Sequence, residues 1–438
     1  MATTPVPRAL DPHAAIALEA TGLDDSGGLR TADGQPLSRA LARSSRRARR
    51  RAFFLVLPLL LFILITFVVP IGQMLQRSVK NDGFSANMPE LSRWFAEHPR
   101  GTAPDETAYA ALAADLKSSA EARTIGTVGT RINYDLAGSR SLFTSAGRTA
   151  RTGLEPPYQS SVLAMDPKWG DPHLWSVMRE ASSPYTANFY LAALDRTRND
   201  QGEITMAPAD QQVYVMLFKR TMMLSAIITV TTFLLGFPIA YLLATLPLRK
   251  SNLLMILVLL PFWTSLLVRT TAWMVLLQQQ GVINDFLVWL GVIGNSSRIQ
   301  MIYNQTGTII AMTHILLPFM ILPLYSVMRT INPSYVRAAR SLGATSWTAF
   351  RRIYFPQTLP GLGAGALLVF ILAIGYYITP ALVGGSSGQL ISNMIAMHMT
   401  QTLNWSMAAA LAALLLGGVL ILYWIYDRLV GIDNLKLG

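Results

Sequence analysis

The sequence predicts an all-α membrane protein that crosses the bilayer several times. Only 14% of its 438 residues are charged and 52% are hydrophobic, whereas a soluble chain carries about 25% charged residues. The mean hydropathy is +0.37. Stretches without Asp, Glu, Lys or Arg recur along the chain, and several are long enough for a helix to cross about 30 Å of hydrocarbon. These observations exclude an ordinary soluble domain.

The basic excess of the chain lies beside these apolar stretches. The net charge is +12, yet residues 77–220 balance 16 basic against 16 acidic side chains. No continuous basic stripe is left for a nucleic acid. Seven arginines precede the first apolar stretch: Arg39, Arg43, Arg46, Arg47, Arg49, Arg50 and Arg51. The positive-inside rule places them in the cytoplasm.

Six transmembrane spans are predicted from the uncharged stretches. They cover residues 52–76, 221–248, 252 to about 276, 309–328, about 360–382 and about 406–426. A cleaved signal peptide has a shorter polar leader and a shorter apolar run than the first stretch, so we expect an uncleaved span. An even number of spans puts both termini in the cytoplasm, and the acid-free, arginine-rich loop after span four agrees.

The chain then divides into four parts. Residues 1–51 are expected to form a disordered basic cytoplasmic tail, because the first 37 lack hydrophobic periodicity. Residues 52–76 form span one. Residues 77–220 form a mostly helical extracytoplasmic domain, long enough to build a core of its own and helically patterned over 109–116. Residues 221–438 contain spans two to six.

Motifs for catalysis and for ATP binding are absent from the sequence. There is no G-x-x-x-x-G-K-[ST], and the five histidines have no metal-ligand spacing. The spans contain no Asp or Glu, which ion-coupled transporters commonly use. We therefore expect no enzyme activity, metal or cofactor on this chain, and an energy source on another protein. His314, in span four, either serves function or is bonded within the bundle.

Two further sequence features concern the helices themselves. Gly361, Gly363 and Gly365 resemble a phosphate-binding loop, but they open an apolar helix, which favours close helix packing. Arg269 interrupts span three. It is expected at the outer end of that span, where it reaches headgroups or a partner subunit.

The loop after span four predicts two short helices at a bend. Asn332-Pro333-Ser334 supplies a cap for a helix over Tyr335–Leu342, and Gly343 permits a sharp turn. A second short helix over Trp347–Tyr354 leads to Pro356 at the mouth of span five. The two helices would form a compact knob on the cytoplasmic face.

This segment resembles the EAA loop of permease subunits in ABC importers, which has the form E-A-A, three residues, G, nine residues, I-x-L-P. Five residues are in register: Ala338, Ala339, Gly343, Ile353 and Pro356. Arg337 stands where glutamate is usual, and Phe355 stands for leucine. The resemblance extends over about residues 210–430. The segments 260–273, 281–284, 375–385 and 404–405 look like the spermidine/putrescine-type subfamily.

The resemblance implies the rest of an import machine. It implies the six-span fold of type I ABC importers in the bacterial inner membrane, with a large insertion between spans one and two. The partners would be membrane lipid, a second permease subunit (expected to be a different chain), two cytoplasmic ATPases carrying ATP and Mg, and an extracytoplasmic substrate-binding protein. The ATPases would receive the knob in surface grooves. The contact residues would be Arg337, Ala338, Ala339, Gly343, Ile353 and Pro356.

Seven residues are candidates for the substrate passage, because aromatic faces and polar groups can hold a charged solute. They are Trp263, Arg269, Trp273, Tyr376, Tyr377, Asn404 and Trp405. The solute could be a polyamine, an opine or an amino-acid-like compound, and the sequence leaves these open. For each aromatic, packing or an interfacial position is the alternative. The alternative functions are a membrane sensor with an outer ligand-binding domain and a secondary transporter.

Overall fold

The computed structural model describes residues 37–430, and it divides the chain into two units, 1–74 and 75–438. In the first unit, helix α1 (Leu37–Ile63) passes through a π-helical turn, Leu64–Val68, into helix α2 (Val69–Arg77). The predicted disorder is therefore wrong for residues 37–51, which belong to α1. The predicted disorder of residues 1–36 lies outside the described residues.

The insertion that follows span one is helical and ends in a short hairpin. Its helices are α3 (Asp82–Ser85), α4 (Pro89–Glu97), α5 (Glu106–Glu121), α6 (Ile125–Asn133), α7 (Ser139–Ala150), α8 (Tyr158–Met165), α9 (Pro172–Ala181) and α10 (Asn188–Ala193). Strands β1 (Arg196–Arg198) and β2 (Ile204–Met206) pair antiparallel, with Thr197 opposite Thr205. The sequence analysis missed this hairpin, whose strands are only three residues long.

An aromatic core holds the insertion together. Trp169 is fully buried, and its ring meets Phe143 edge to face at 5.0 Å between centroids. Tyr109 meets Trp175 in the same way at 5.2 Å. Asp115 is also buried, and its carboxylate accepts hydrogen bonds from the backbone N–H groups of Leu91 at 2.8 Å and Glu90 at 3.3 Å. It thereby caps α4 from the neighbouring helix α5.

The insertion is attached to the rest of the second unit at its C-terminal end. Asp195 is 5% exposed, and its carboxylate accepts hydrogen bonds from the N–H groups of Tyr214 and Val215, both at 2.9 Å. These residues open the helix of span two, so Asp195 is its cap. Phe189 and Ala193 of α10 belong to a buried cluster with residues of span two, of span six and of the helix before it, namely Leu217, Ile391, Met407, Ala410 and Leu411.

The remaining helices form the apolar part of the second unit. They are α11 (Tyr214–Thr245), α12 (Leu248–Leu259), α13 (Leu266–Leu277), α14 (Val282–Trp289), α15 (Gln305–Thr330), α16 (Pro333–Ser341), α17 (Ser346–Ala349), α18 (Phe355–Gly375), α19 (Ile378–Val383), α20 (Gly385–Gly388), α21 (Ile391–Thr400) and α22 (Trp405–Val430). Among the described residues of the whole chain, five helices are long and apolar enough to cross a membrane, or six if one bent pair forms a single span.

That bent pair is span three, and the prediction of one continuous helix there is wrong. The segments Leu248–Trp263 and Leu266–Trp289 meet at 96°. Pro261 has no N–H to donate, and Ser265 starts a new helix by accepting a hydrogen bond from the N–H of Val268 at 3.2 Å. A proline followed by a capping serine ends one helix and begins another.

Span five also differs from its prediction. The helix is continuous from Ser346 to Gly375, so the second short helix of the loop is not a separate element. A π-helical turn, Phe350–Tyr354, precedes Pro356 and shifts the hydrogen-bond register, which accommodates the N–H that proline lacks. The helix then ends at Gly375 rather than near Leu382.

The glycines at the start of span five do serve close packing. A Cβ on Gly361 would lie 2.9 Å from the carbonyl oxygen of Pro323, and one on Gly365 would lie 3.0 Å from the sulfur of Met320. Both neighbours belong to α15. The predicted role of these glycines in helix packing is confirmed, because α15 and α18 approach too closely for a side chain.

The first prediction concerns the pH dependence of the insertion. Burial raises the pKa of Asp115 to about 6, above the roughly 3.9 of an unfolded chain. The native state therefore binds more protons than the unfolded state between these values, and this carboxyl loses stabilisation as pH rises from about 4 to 6. Asp115→Asn should remove a pH-dependent term on the order of 2 kcal/mol. Tryptophan-monitored unfolding of the full chain in detergent checks this, and equal pH dependence of both proteins would contradict it.

Candidate functional site

The loop after span four begins with a well-capped helix. Asn332 precedes α16, and its side-chain oxygen accepts a hydrogen bond from the N–H of Ser334 at 2.9 Å. Pro333 occupies the first turn, where its missing N–H leaves no bond unmade. At the base of this helix, Arg329 donates to the carbonyl of Ala244 at 2.8 Å, which joins the ends of α15 and α11.

The bend of the loop depends on Gly343. This residue has φ +88°, in the left-handed region that glycine adopts readily. Its N–H donates to the carbonyl of Arg340 at 3.0 Å, and the N–H of Ala344 donates to the carbonyl of Ala339 at 3.1 Å. These two bonds form a Schellman motif that ends α16. The predicted turn at this glycine is therefore present.

The bend presents residues of the loop at the surface. Arg337, Ala338 and Pro356 are exposed, whereas Ala339 and Ile353 are partly buried. Leu342, at the tip, is 89% exposed. A large apolar side chain held this far out on a capped turn is typical of a contact surface.

A stack of aromatic rings connects this loop to the spans. Trp347 stacks on Phe350 at 5.7 Å between centroids, and Phe350 stacks on Tyr354 at 6.0 Å. Phe350 also meets Phe237 edge to face at 6.1 Å, and Tyr354 meets Tyr241 at 5.3 Å. Sequence reasoning missed this stack. The sequence does contain a signal for it: Phe350 and Tyr354 are four residues apart, and so are Phe237 and Tyr241. Aromatic residues with this spacing lie on the same side of a helix.

A second set of functional residues surrounds the break in span three. Arg269 lies in α13, and its guanidinium donates to the carbonyl oxygens of Thr264, at 2.9 Å, and of Pro261. These carbonyls lie at the break. The guanidinium thus bonds the backbone of its own span, and the expectation that it reaches headgroups or pairs with a partner subunit stays a prediction.

The break after span five is held in a similar way. The carbonyl of Tyr376 accepts a hydrogen bond from Ser392 Oγ at 2.6 Å, and that of Tyr377 accepts from Asn393 Nδ2 at 2.8 Å. Both donors belong to α21. Pro380, four residues after Tyr376, has no N–H, so Ser392 supplies the bond that the Tyr376 carbonyl would lack. The carbonyl of Tyr377 also accepts from the N–H of Ala381 at 3.0 Å.

The two breaks adjoin each other. Thr270 Oγ1 lies 3.2 Å from Thr379 Oγ1, which joins α13 to α19. Trp273 donates its indole N–H to His314 Nδ1 at 3.1 Å, so the histidine is bonded within the bundle.

The structure thus groups some of the predicted passage residues and separates others. Arg269, Trp273 and Tyr376 lie together at the breaks. Trp263 and Tyr377 are exposed beside them, at 86% and 46%. Asn404 instead caps α22, accepting from the N–H of Met407 at 3.0 Å, and Trp405 is the first residue of that helix.

Within the part of the chain that is described, no group of three or more His, Asp or Glu could hold a metal ion. The residues at the two breaks include a basic, a hydroxyl and several aromatic side chains, which can bind a solute. An apolar helical bundle with a bent helix pair is typical of membrane transport proteins.

Residues 221–430 match the family model described as "Binding-protein-dependent transport system inner membrane component". The chain belongs to this family. The "Spermidine/putrescine transport system permease protein PotB" of Escherichia coli (strain K12) is 36% identical over 221 residues, which are 50% of this chain and 80% of that protein. Its counterpart from Haemophilus influenzae is 33% identical over 225 residues, 51% of this chain and 78% of that protein. This chain is accordingly a permease component of an ABC importer and a multi-pass inner-membrane protein.

Among solved structures, the chain is similar to a chain in the crystal structure of a bacterial alginate ABC transporter in complex with an alginate pentasaccharide-bound periplasmic protein. The identity is 18% and the TM-score 0.43, over 52% of this chain and 81% of that chain.

The second prediction concerns Arg269. Arg269→Gln should leave the carbonyl of Thr264 without its side-chain donor, whereas the carbonyl of Pro261 keeps the hydroxyl of Thr264 at 2.9 Å. Losing one such hydrogen bond costs about 0.5–1.5 kcal/mol. We expect a lower midpoint of thermal unfolding in detergent and slower transport. Arg269→Lys keeps the charge but not the planar fork of donors, so it should recover only part of the loss. Wild-type stability in both variants would show that the guanidinium does not hold the break.

The third prediction concerns the bend of the loop. Gly343→Val places a β-branched residue at φ +88°, which costs on the order of 1–3 kcal/mol of backbone strain. No atom lies within 4 Å of the added Cβ position, so the strain alone should act. We expect lost transport and lost stimulation of the partner ATPase, with the affinity of the binding protein for its solute unchanged.

The matched control for that variant is Gly343→Asn, because asparagine tolerates the left-handed region. It should retain most of the ATPase stimulation. Wild-type uptake by Gly343→Val would contradict a coupling role for this bend.

Proposed function

We propose that this chain forms the substrate passage of an importer for a small amine-bearing solute of the polyamine class. The identity over the matched region to two permeases named for spermidine and putrescine supports this substrate class. The observation that carries the passage is the meeting of the bent span three with the helix after span five, at Thr270 and Thr379. Irregular backbone at membrane depth occurs where protein covers it or where it lines a watery cavity.

Amines can be held at these breaks without carboxylates. The exposed aromatic faces of Trp263 and Tyr377 can receive an ammonium group by cation–π attraction. Backbone carbonyls near a helix break are further acceptors for ammonium protons. A weak, distributed site of this kind lets a solute leave as well as enter.

A second candidate substrate is an amino-acid-like or opine-like carboxylate. It is favoured by Arg269, which places a cation at the breaks, where the spans have no acidic residue in the sequence. A guanidinium that already donates to carbonyls can still offer its remaining N–H groups to a carboxylate.

The loop 332–358 is proposed to dock on the partner ATPase. Arg337, Ala338, Ala339 and Gly343 would form the contact, with Leu342 as an apolar anchor at the tip. Ile353 and Pro356 would set the direction in which the loop enters span five. Closure of two ATPases would move the loop, and the stacked rings from Trp347 to Tyr354 would pass that motion to spans two and five as a rigid body.

The partners and orientation follow as parts of the same proposal. A second permease subunit, encoded as a different chain, would cover the breaks, and a substrate-binding protein would deliver the solute. The ATPases would carry ATP and Mg, since this sequence has no P-loop. The seven arginines before span one support cytoplasmic termini and an extracytoplasmic insertion over 77–220.

The fourth prediction tests the substrate class. The chain would be co-purified with its ATPase and second permease and reconstituted with the binding protein. ATP-driven uptake of labelled spermidine and putrescine should exceed that of amino acids and opines. Tyr377→Ala should slow uptake several-fold at saturating loaded binding protein, and Tyr377→Phe should restore it, because the aromatic face does the binding.

Tyr423→Ala is the matched control, since Tyr423 is similarly exposed, at 43%, but lies on α22. It should leave uptake unchanged. Preferential uptake of amino acids or opines would contradict the polyamine assignment and support the second candidate.

A further inference from the structure

The first described helix carries a dense basic segment that the proposed transport function does not use. Helix α1 runs unbroken from Leu37 to Ile63, so the seven arginines and the apolar residues that follow belong to one helix. Arg49, Arg50 and Arg51 are exposed. No acidic residue occurs between Asp33 and Asp82, so the segment has no acidic neighbour in sequence. The segment also lies outside the matched region 221–430.

The arginines recur with the period of a helix. Five of them are three or four residues apart along the chain: Arg39, Arg43, Arg46, Arg47 and Arg50. Residues with this spacing lie on one side of a helix. The positions between them are Ala, Leu or Ser, apart from Arg49. Topological orientation needs only basic charge near a span, whereas a helix with one basic side is typical of segments that lie against an anionic membrane.

The length of the span brings this segment to the level of the headgroups. From Arg51 to Arg77 the helix rises about 39 Å, which exceeds a hydrocarbon core of about 30 Å. A helix with such an excess tilts, and tilting lowers its basic end toward the bilayer surface. Phe53 and Phe54 follow Arg51 after one alanine and are 53% and 66% exposed, so the apolar side chains begin directly beside the basic segment.

We propose that residues 39–51 form a binding site for anionic phospholipids, with the headgroup phosphate as the ligand. Guanidinium groups bind phosphate with two parallel hydrogen bonds. Basic residues next to a span are attracted to anionic lipid headgroups. A nucleic acid is a poorer fit, because the segment is continuous with a membrane span and ends there. The arginines nearest the span contribute most, since Arg39 lies about 18 Å along the helix from Arg51, beyond the screening length of about 8 Å.

The absence of cysteine allows a direct test on the full chain. Ala42→Cys would carry a single fluorophore, and the protein would be reconstituted in vesicles that contain headgroup spin-labelled lipid. Quenching by labelled phosphatidylglycerol should exceed quenching by labelled phosphatidylcholine at equal mole fraction by about threefold or more at low salt. The excess should shrink at high salt, because the attraction is screened.

Two variants with the same change in charge make the test specific. Arg49→Gln, Arg50→Gln and Arg51→Gln together should abolish most of the preference for anionic lipid, because these three lie nearest the span, while four arginines remain to orient it. The control carries three exposed arginines of the insertion changed to Gln, and it should keep the preference: Arg123, Arg140 and Arg148. Equal quenching by both lipids in the wild type would overturn the proposal. So would a preference that survives the triple change in α1, or one that is displaced by added RNA but not by salt.

Discussion

The structure of the membrane region depends on one constraint, which is that a backbone N–H or carbonyl group inside a bilayer must find a hydrogen-bond partner within the protein. Most of the described spans meet it with unbroken helices. The bent pair at span three and the chain just after span five do not, and each of these two breaks is served by side chains. Arg269 donates to the carbonyls of the first break, and Ser392 and Asn393 donate to those of the second. The polar groups of the bundle therefore lie where the helices break, and the candidate passage lies there for the same reason.

The same reasoning explains the loop that we assign to coupling. A loop that transmits motion must be rigid. A short helix in such a loop is rigid when the backbone groups at both of its ends are hydrogen-bonded. Asn332 caps the start of α16, and the bonds around Gly343 close its end. The second arm is not a separate helix but the first turns of span five. A displacement of the loop is therefore a displacement of span five, and the stacked rings of Phe350 and Tyr354 extend it to span two.

The insertion is joined to the same body by two different interactions. Asp195 caps the helix of span two with a buried carboxylate, and α10 packs its apolar side among residues of spans two and six. A buried carboxylate bonded to two N–H groups is costly to disrupt. The insertion is thus tied to helices that carry the candidate site, although its residues lie outside the region matched by the family model.

The sequence by itself determined the membrane class, the approximate extents of spans one, two, four and six, and the bend of the loop. Each follows from local chemistry. Runs without charge and the arginines that flank them indicate the spans, and Gly343 after a helix capped by Asn332 indicates the bend. Only the tertiary structure decided where Arg269 donates, that Thr270 meets Thr379, and that Asn404 caps a helix instead of joining the other passage candidates. Thr270 and Thr379 are 109 positions apart, so no local pattern could pair them. The bonds of Arg269 and Asn404 are local, but they depend on where the helices end, which the sequence pattern did not show. Proline had opposite effects in spans three and five. The helix ends near Pro261, where Ser265 caps a new helix, but it continues through Pro356, where a π-helical turn precedes the proline.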